Sequence, residues 1–157
     1  MASIITSLGH NVFTIDTQMG GYEGITAGYL IRSSRPALIE TGTALSAPTV
    51  IAALDELGVD ANDLATIVVT HIHLDHAAPG HASHHLGMLD TESGDLYTGD
   101  AAGIYVPETA DVRPSTPPPD FDLGLAVDSI ERMRATKPTR LLFSHFGPVL
   151  DVDTTLD

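Results

Sequence analysis

The sequence predicts an α/β fold, and three observations support this prediction. The chain has 157 residues, a length that suits one domain spanning residues 1–157. Hydrophobic residues make up 43% of the chain and aromatic residues only 5%, so we expect a core of Val, Ile, Leu and Ala. Segments in the first half of the chain follow the order strand, helix, strand, which is typical of α/β proteins.

Four strands are predicted before the first helix. Ser3–Leu8 and Asn11–Asp16 have strand composition and are separated by Gly9-His10, so we expect a hairpin. Glycines in the segment 20–24 indicate a loop. Ala27–Arg32 and Ala37–Glu40 follow as two more strands, with a turn between them.

A helix and a strand come next. Ser46 is a suitable helix cap, Pro48 is tolerated in a first turn, and Gly58 is a suitable end. Apolar residues between these signals fall at helical spacing: Val50, Ile51, Leu54 and Leu57. Ile67–Val69 then predicts a buried strand that leads directly into a cluster of histidines.

The second half predicts a further set of strands and one helix. We expect strands at Ser83–Leu89, Asp95–Thr98 and Arg140–Phe143. The proline-rich segment Arg113–Asp120 predicts an extended loop, and Phe121–Thr136 predicts an amphipathic helix. Its apolar stripe consists of Leu123, Val127, Ile130 and Met133.

Composition excludes several classes of function. The net charge of −14 repels phosphate backbones and anionic lipids, so we expect no binding to nucleic acid or membranes. The chain has no cysteine, which excludes disulfides, thiolate nucleophiles and cysteine-bound metals. The segment Met1–Ile5 lacks the basic start of a secretory signal, and no apolar run approaches the length of a membrane span. We therefore expect a cytoplasmic protein.

The histidine cluster carries the chemistry. His71 and His73 are two residues apart, so in an extended backbone they project to the same side, and Asp75 and His76 follow directly. Imidazole and carboxylate groups are the ligands that a zinc-like ion accepts when thiolates are absent. Three imidazoles at the end of a strand have no packing role, so the cluster predicts a metal site.

At this point the sequence resembles a known family, the metallo-β-lactamase-fold hydrolases, which include glyoxalase II and lactonases. The resemblance rests on five segments that occur in the family's order: Ala37–Gly42, Thr70–His76, Pro79–His85, Gly99–Ala102 and Ser144–Gly147. The stretch from Arg113 to Leu123 is similar to a narrower group of prokaryotic broad-specificity metallohydrolases.

The resemblance implies an αββα sandwich, with two mixed β-sheets and outer helices, and a pair of metal ions at one edge. We expect two divalent ions, with Zn²⁺ as the preferred metal and Fe or Mn as alternatives. The implied ligands are His71, His73 and His81 for the first ion, Asp75, His76 and His145 for the second, and Asp100 as the bridge. Asp75 would also orient the attacking water and carry its proton. Glu40 and His85 would lie around this site, where they support the metal loop or contact the substrate.

Three departures from the family pattern qualify these expectations. Glu40 stands where the family usually has Asp. The block that normally separates the first ligand motif from the Pro-Gly-His segment is missing, since only four residues lie between His76 and His81. The chain also ends soon after His145, where the family usually continues into a helix. The fold is therefore expected to be truncated, and the exposed surface predicts a homo-oligomer.

The expected reaction is hydrolysis of an ester, thioester, lactone or phosphoester of a small-molecule substrate by a metal-bridging hydroxide. Two alternatives stay open. The first is a metal-binding but catalytically impaired, shortened domain, and the second is an iron-dependent redox protein of the same fold.

Overall fold

The computed structural model describes residues 4–70, 87–116 and 122–157. The chain divides into two compact units, Met1–Gly80 and His81–Asp157, and each is described by itself. The α/β prediction is confirmed, because both units contain β-sheet and helix. The assignment of residues 1–157 to a single domain stays a prediction.

The first unit contains a five-stranded mixed sheet in the order β1-β2-β3-β4-β5. Its strands are β1 (Ile5–Gly9), β2 (Val12–Asp16), β3 (Ala27–Ile31), β4 (Ala37–Ile39) and β5 (Thr66–Val68). Neighbouring strands run antiparallel except β4 and β5, which are parallel. The carboxyl ends of β4 and β5 therefore lie at the same edge of the sheet.

The β1–β2 hairpin closes through a two-residue turn. Gly9 pairs with Val12, so His10 and Asn11 form the loop, and both have positive φ, 49° and 59°. Two positive φ angles define a type I′ turn, whose twist matches that of the flanking strands. The predicted hairpin is confirmed.

Helix α1 (Ala47–Glu56) covers the sheet of the first unit. Its inner face packs on the strands in one buried cluster: Ile15, Leu30, Leu38, Val50, Ala53, Leu54 and Val59. Ser46 occupies the predicted cap position, but its side chain makes no capping bond to the helix. Gly58, with φ of 73°, ends the helix in the left-handed conformation.

The prediction that Ile67–Val69 is a buried strand is wrong. Strand β5 forms as expected, but it lies at the end of the strand order, and the Ile67 side chain is 55% exposed. An edge strand lacks a neighbour on one side, so an apolar run does not by itself place a strand in the interior.

The second unit contains a four-stranded mixed sheet and a separate two-stranded ribbon. The larger sheet has the order β11-β10-β7-β6, with β6 (Met88–Leu89), β7 (Asp95–Gly99), β10 (Arg140–Phe143) and β11 (Gly147–Val149). Strands β7 and β10 are parallel, and the other pairs are antiparallel. The ribbon pairs β8 (Ile104–Val106) with β9 (Asp111–Arg113).

Two helices belong to the second unit. Helix α2 (Leu123–Ala135) begins at Asp122, whose carboxylate accepts a hydrogen bond from the Leu125 N–H at 3.0 Å. Helix α3 (Val152–Leu156) begins at Asp151. One buried cluster joins them to the sheet and to the turn after β7: Leu96, Ala102, Met133, Leu141, Phe143 and Leu156.

The structure differs from the sequence expectations at two helical segments. The sequence analysis expected no helix after His145, but the chain forms the short helix α3 there. Its residue Leu156 packs into the buried cluster of the second unit. Of the predicted apolar stripe of α2, Met133 is buried, whereas Leu123 and Val127 are exposed. Among the helices in the described part of the chain, none is long and apolar enough to cross a membrane.

Candidate metal centre

Three of the predicted site residues lie in the described part of the chain: Glu40, Asp100 and His145. The others lie outside the described residues, and their positions stay predictions: His71, His73, Asp75, His76, His81 and His85. The strand predicted at Ser83–Leu89 is described only from residue 87 onward, where β6 occurs.

Asp100 and His145 come together at one edge of the second sheet. Asp100 directly follows β7, and His145 lies two residues after the end of the parallel neighbour β10. Their side chains are 5% and 16% exposed, and His145 Nε2 lies 3.7 Å from Asp100 Oδ2. The structure therefore brings these two distant residues together, and their role as metal ligands stays a prediction.

The spacing of these two side chains suits ligands of one ion. A separation of 3.7 Å is too long for a direct hydrogen bond. Two ligands with bonds of about 2.1 Å to a tetrahedral zinc ion have donor atoms roughly 3.4 Å apart. Carboxylate oxygen and imidazole nitrogen are also the donor types that such an ion prefers. The pair therefore fits the metal that the sequence analysis expects.

Backbone contacts hold the segment after β10 in place. The His145 carbonyl accepts a hydrogen bond from the Tyr105 N–H of β8 at 2.9 Å. Gly147 has a φ of 125°, and a Cβ there would lie 2.8 Å from the Tyr105 ring. The turn therefore requires glycine, and the ribbon fixes the backbone that carries the imidazole.

The turn that carries Asp100 is held in a similar way. Thr98 is fully buried, and its hydroxyl donates to the carbonyls of Gly99 at 3.1 Å and Leu142 at 3.4 Å. The Asp100 carbonyl accepts from the Gly103 N–H at 3.0 Å. These bonds join the end of β7 to β10, so the backbone that carries the Asp100 carboxylate is held in place.

An ion pair fixes the opposite end of β7 and β10. Arg140 contacts buried Asp95 with two hydrogen bonds, from Nε to Oδ1 at 2.8 Å and from a terminal nitrogen to Oδ2 at 2.5 Å. Tyr97 lies on the same strand, and burial raises the pKa of its hydroxyl, with the Asp95 and Asp90 carboxylates adding to the rise. Tyr97 therefore stays a neutral phenol at ordinary pH.

Glu40 is the predicted site residue that the first unit contributes to the described structure. It is buried, follows β4 directly, and has a left-handed backbone with φ of 64°. Its Oε1 accepts a hydrogen bond from the Thr70 N–H at 2.8 Å. Thr70 immediately precedes His71, so the carboxylate holds the backbone at the start of the predicted ligand motif.

Side chains that sequence analysis did not single out shape the loop after Glu40. A Cβ at Gly42, with φ of 66°, would lie 2.9 Å from the Ser46 Cβ and 3.1 Å from the Thr17 Cβ. The hydroxyls of Thr17 and Thr26 are 2.5 Å apart. The loop therefore packs tightly beside the end of β2 and the start of β3. In the sequence, the glycine of Thr41-Gly42 was the only indication of this contact.

Asp16, at the end of β2, is another residue that sequence analysis missed. It is buried, and its two carboxylate oxygens accept from the N–H groups of Gln18 at 2.9 Å and Gly24 at 2.8 Å. It therefore organises the glycine-rich loop. Within residues 4–70, 87–116 and 122–157, no group of three or more His, Asp or Glu side chains forms a complete metal site.

A family model described as the metallo-beta-lactamase superfamily matches residues 21–78 and 77–145. A curated relative, the metallo-beta-lactamase fold-containing protein ST1585 of Sulfurisphaera tokodaii, is 39% identical over 71 residues. That match spans 45% of this chain but only 25% of the relative's length.

Solved structures agree in fold. The crystal structure of ST1585, named there as a protein of Sulfolobus tokodaii, has a TM-score of 0.70 at 19% identity, over 94% of this chain and 83% of that one. A metallo-beta-lactamase family protein from Thermus thermophilus has a TM-score of 0.66 at 19% identity, over 83% of this chain and 72% of that one.

A third solved structure has the same fold. It is described as the peroxy diiron species of a chemotaxis sensor, and it has a TM-score of 0.63 at 15% identity, over 98% of this chain and 93% of that one. At this identity the likeness concerns the fold alone. These likenesses confirm the predicted fold class, and the family model decides the assignment: the chain belongs to the metallo-beta-lactamase superfamily.

Proposed function

We propose that this protein is a dinuclear metallohydrolase that cleaves an ester, thioester, lactone or phosphoester of a small molecule. The superfamily supports a metal-dependent, hydrolase-type fold. The observation that carries the proposal is the pair of buried Asp100 and partly buried His145, whose donor atoms lie 3.7 Å apart at the edge of a sheet. A buried carboxylate and imidazole at this spacing have the chemistry and the geometry of neighbouring metal ligands.

The proposed ligand set is the one that the family order implies. It consists of His71, His73, Asp75, His76, His81, Asp100 and His145. When bound, two divalent ions would lower the pKa of a shared water and polarise the scissile carbonyl or phosphoryl group. Asp75 is proposed to orient that water and to carry its proton to the leaving group. Glu40 holds the N–H of Thr70 and so positions the motif, and His85 is proposed to face the substrate.

A double substitution tests the ligand set. We expect His71→Ala with His73→Ala to abolish both bound metal, measured by mass spectrometry, and hydrolysis of a panel of aryl esters, lactones, thioesters and phosphotriesters. His10→Asn is the matched control, because His10 is an exposed histidine in the β1–β2 turn and Asn also tolerates positive φ. Activity retained by the double variant would contradict the proposal.

A second pair of variants tests the described half of the site. Asp100→Asn keeps the size of the side chain but removes its charge, and His145→Ala removes the imidazole. We expect each variant to bind less metal than the unchanged protein. We also expect added Zn²⁺ to raise the melting temperature of each variant by less than it raises that of the unchanged protein. A full metal complement in both variants would remove Asp100 and His145 from the ligand set.

The same measurements separate the alternative functions. Stoichiometric metal without turnover on any member of the panel would favour a shortened domain that binds metal without catalysis. Bound iron with visible absorbance and oxygen uptake would favour a redox protein, as in the diiron sensor with the same fold. Self-association into a homo-oligomer and a cytoplasmic location stay predictions alongside the proposed function.

A further inference from the structure

The second unit contains a cavity that the metal chemistry does not explain. It has a volume of about 760 Å³ and lies among the β8–β9 ribbon, α2, α3 and the end of β11. Ligand pockets for small molecules usually measure about 300–1,000 Å³, so this volume can hold a substantial organic group. Asp100, a proposed metal ligand, is one of its lining residues.

Small residues keep the cavity open. Its wall includes Ala101, Ala102 and Gly103 from the turn after β7, Ala110 from the ribbon, and Ala126 from α2. Each of these side chains is a methyl group or a hydrogen atom, so the space between the elements is not filled from within. The cavity therefore follows from residue choice at these positions, and a larger side chain at one of them should close it.

Exposed apolar side chains also line the cavity. Leu123 and Val127 of α2 are 68% and 47% exposed, and Leu150 before α3 is 75% exposed. These three residues place apolar surface in contact with water, which favours the entry of an apolar group.

The charges around the cavity are of one sign. The lining that the structure describes contains the carboxylates of Asp100, Asp111 and Asp151 and no Lys, Arg or His. The whole chain carries a net charge of −14. Two of these carboxylates have a basic neighbour outside the lining, since Asp111 lies 3.5 Å from Arg113 and Asp100 lies 3.7 Å from His145. The described lining itself offers an anionic ligand carboxylates and no cation, whereas it offers a neutral ligand an apolar wall.

We propose that this cavity binds the uncharged, apolar part of the substrate beside Asp100, so that the protein selects neutral alkyl or aryl esters and lactones over anionic esters. This inference rests on the proposed function for its catalytic meaning, but the binding itself does not require metal or turnover. Hydrolysis of a neutral ester breaks the acyl–oxygen bond: the water oxygen bonds to the acyl carbon, one water proton goes to the leaving alcohol oxygen, and the products are an alcohol, a carboxylate and one released proton.

Two fluorescent probes with the same aromatic skeleton test the charge selection. N-phenyl-1-naphthylamine is neutral, and 1-anilinonaphthalene-8-sulfonate adds one sulfonate. We expect the neutral probe to bind the whole protein at least tenfold more tightly than the anionic probe, at a fixed salt concentration of 0.1 M and with a chelator present. Equal or tighter binding of the sulfonate would overturn the inference.

Variants locate the bound probe. Ala126→Trp fills the cavity from α2 and should weaken binding of the neutral probe at least tenfold. Ala135→Trp is the matched control, because Ala135 is an exposed residue of the same helix outside the cavity lining. Asp111→Lys places a cation at an exposed position of the lining. It should reduce the ratio between the Kd of the anionic probe and the Kd of the neutral probe. Equal affinity in the two tryptophan variants would place the probe elsewhere and contradict the inference.

A kinetic comparison separates the inference from the proposed function. Ala126→Trp should raise KM for 4-nitrophenyl hexanoate at least tenfold, and by a larger factor than KM for 4-nitrophenyl acetate, whereas the control Ala135→Trp should leave both KM values within about twofold. If the neutral probe binds as expected but neither ester is hydrolysed, the proposed function fails and the cavity stands as a binding site. If both esters are hydrolysed but Ala126→Trp changes neither KM, the cavity assignment fails alone.

Discussion

At the scale of single residues, Glu40 shows how one side chain prepares a metal loop. Its backbone adopts a left-handed conformation that costs a non-glycine residue roughly 1 kcal/mol. Its carboxylate reaches Thr70, thirty residues later in the sequence. The Glu40 side chain is one methylene longer than the Asp that the family usually has at this position. The structure accommodates this extra length, because the hydrogen bond from the Thr70 N–H to Glu40 Oε1 has a normal length of 2.8 Å.

Substitutions of Glu40 should separate its hydrogen bond from its charge. We expect Glu40→Ala to lower the free energy of unfolding by about 1–3 kcal/mol, because the Thr70 N–H loses a buried acceptor. Glu40→Gln keeps an acceptor oxygen at the same distance from the backbone, so it should lower the free energy of unfolding by clearly less than Glu40→Ala. Urea denaturation of the metal-free protein measures both values. Equal losses in the two variants would show that the hydrogen bond to Thr70 is not the reason for burying this residue.

The residue scale also shows what sequence could predict about the site. The order of the motifs predicted that Asp100 and His145 converge, and the structure places them 3.7 Å apart. Neither the hydrogen bond from Thr70 to Glu40 nor the contact of Gly42 with Thr17 was predicted. Such contacts depend on how β2, β4 and β5 align at the end of the sheet, and no local sequence pattern encodes that alignment.

At the scale of secondary structure elements, the parallel pair β7 and β10 is the feature that aligns Asp100 with His145. The Asp95–Arg140 ion pair joins these strands at the end opposite the candidate site, and both partners are largely buried. A shift of one strand by one residue would move its side chains to the other face of the sheet. The ion pair therefore supports the register on which the site depends.

Removing this ion pair should be costly. We expect Arg140→Met to lower the free energy of unfolding by about 3–5 kcal/mol, because it leaves the buried Asp95 carboxylate unpaired. Arg113→Met is the matched control. Its partner Asp111 lies 3.5 Å away and both side chains are more than half exposed, so the loss should stay below about 1 kcal/mol. Chemical denaturation measures the two values, and similar losses would contradict a special role for the buried pair.

The elements that sequence analysis missed share a physical reason. The ribbon of β8 and β9 and the strand β11 have only three residues each, too few to show alternation. Proline generally disfavours a strand, but Pro148 lies in β11 at the end of the described strand order, where a missing N–H is tolerated. The longer elements α1, α2, β2 and β10 showed clear periodicity or composition and were predicted close to their observed bounds.

At the scale of the whole molecule, the dominant property is charge. Twenty-one acidic residues face seven basic ones, so the folded chain repels itself more strongly than the expanded chain does. We expect the melting temperature of the metal-free protein to rise between 0.01 M and 0.3 M NaCl, because salt screens this repulsion. Scanning calorimetry with a chelator present measures the rise. Choline chloride should match NaCl, and an increase specific to Na⁺ would indicate bound cations instead of screening.

The cavity beside Asp100 has a consequence for which positions of this chain can accept larger side chains. A Cβ at Gly103 would lie 2.5 Å from the Arg113 carbonyl, so any side chain there would force the ribbon apart before it reached the ligand. Ala101 and Ala102 are constrained in another way, because Ala102 belongs to the buried cluster of the second unit and Ala101 packs against it. Laboratory selection for shorter acyl chains should therefore accumulate changes at Ala126 and leave position 103 untouched.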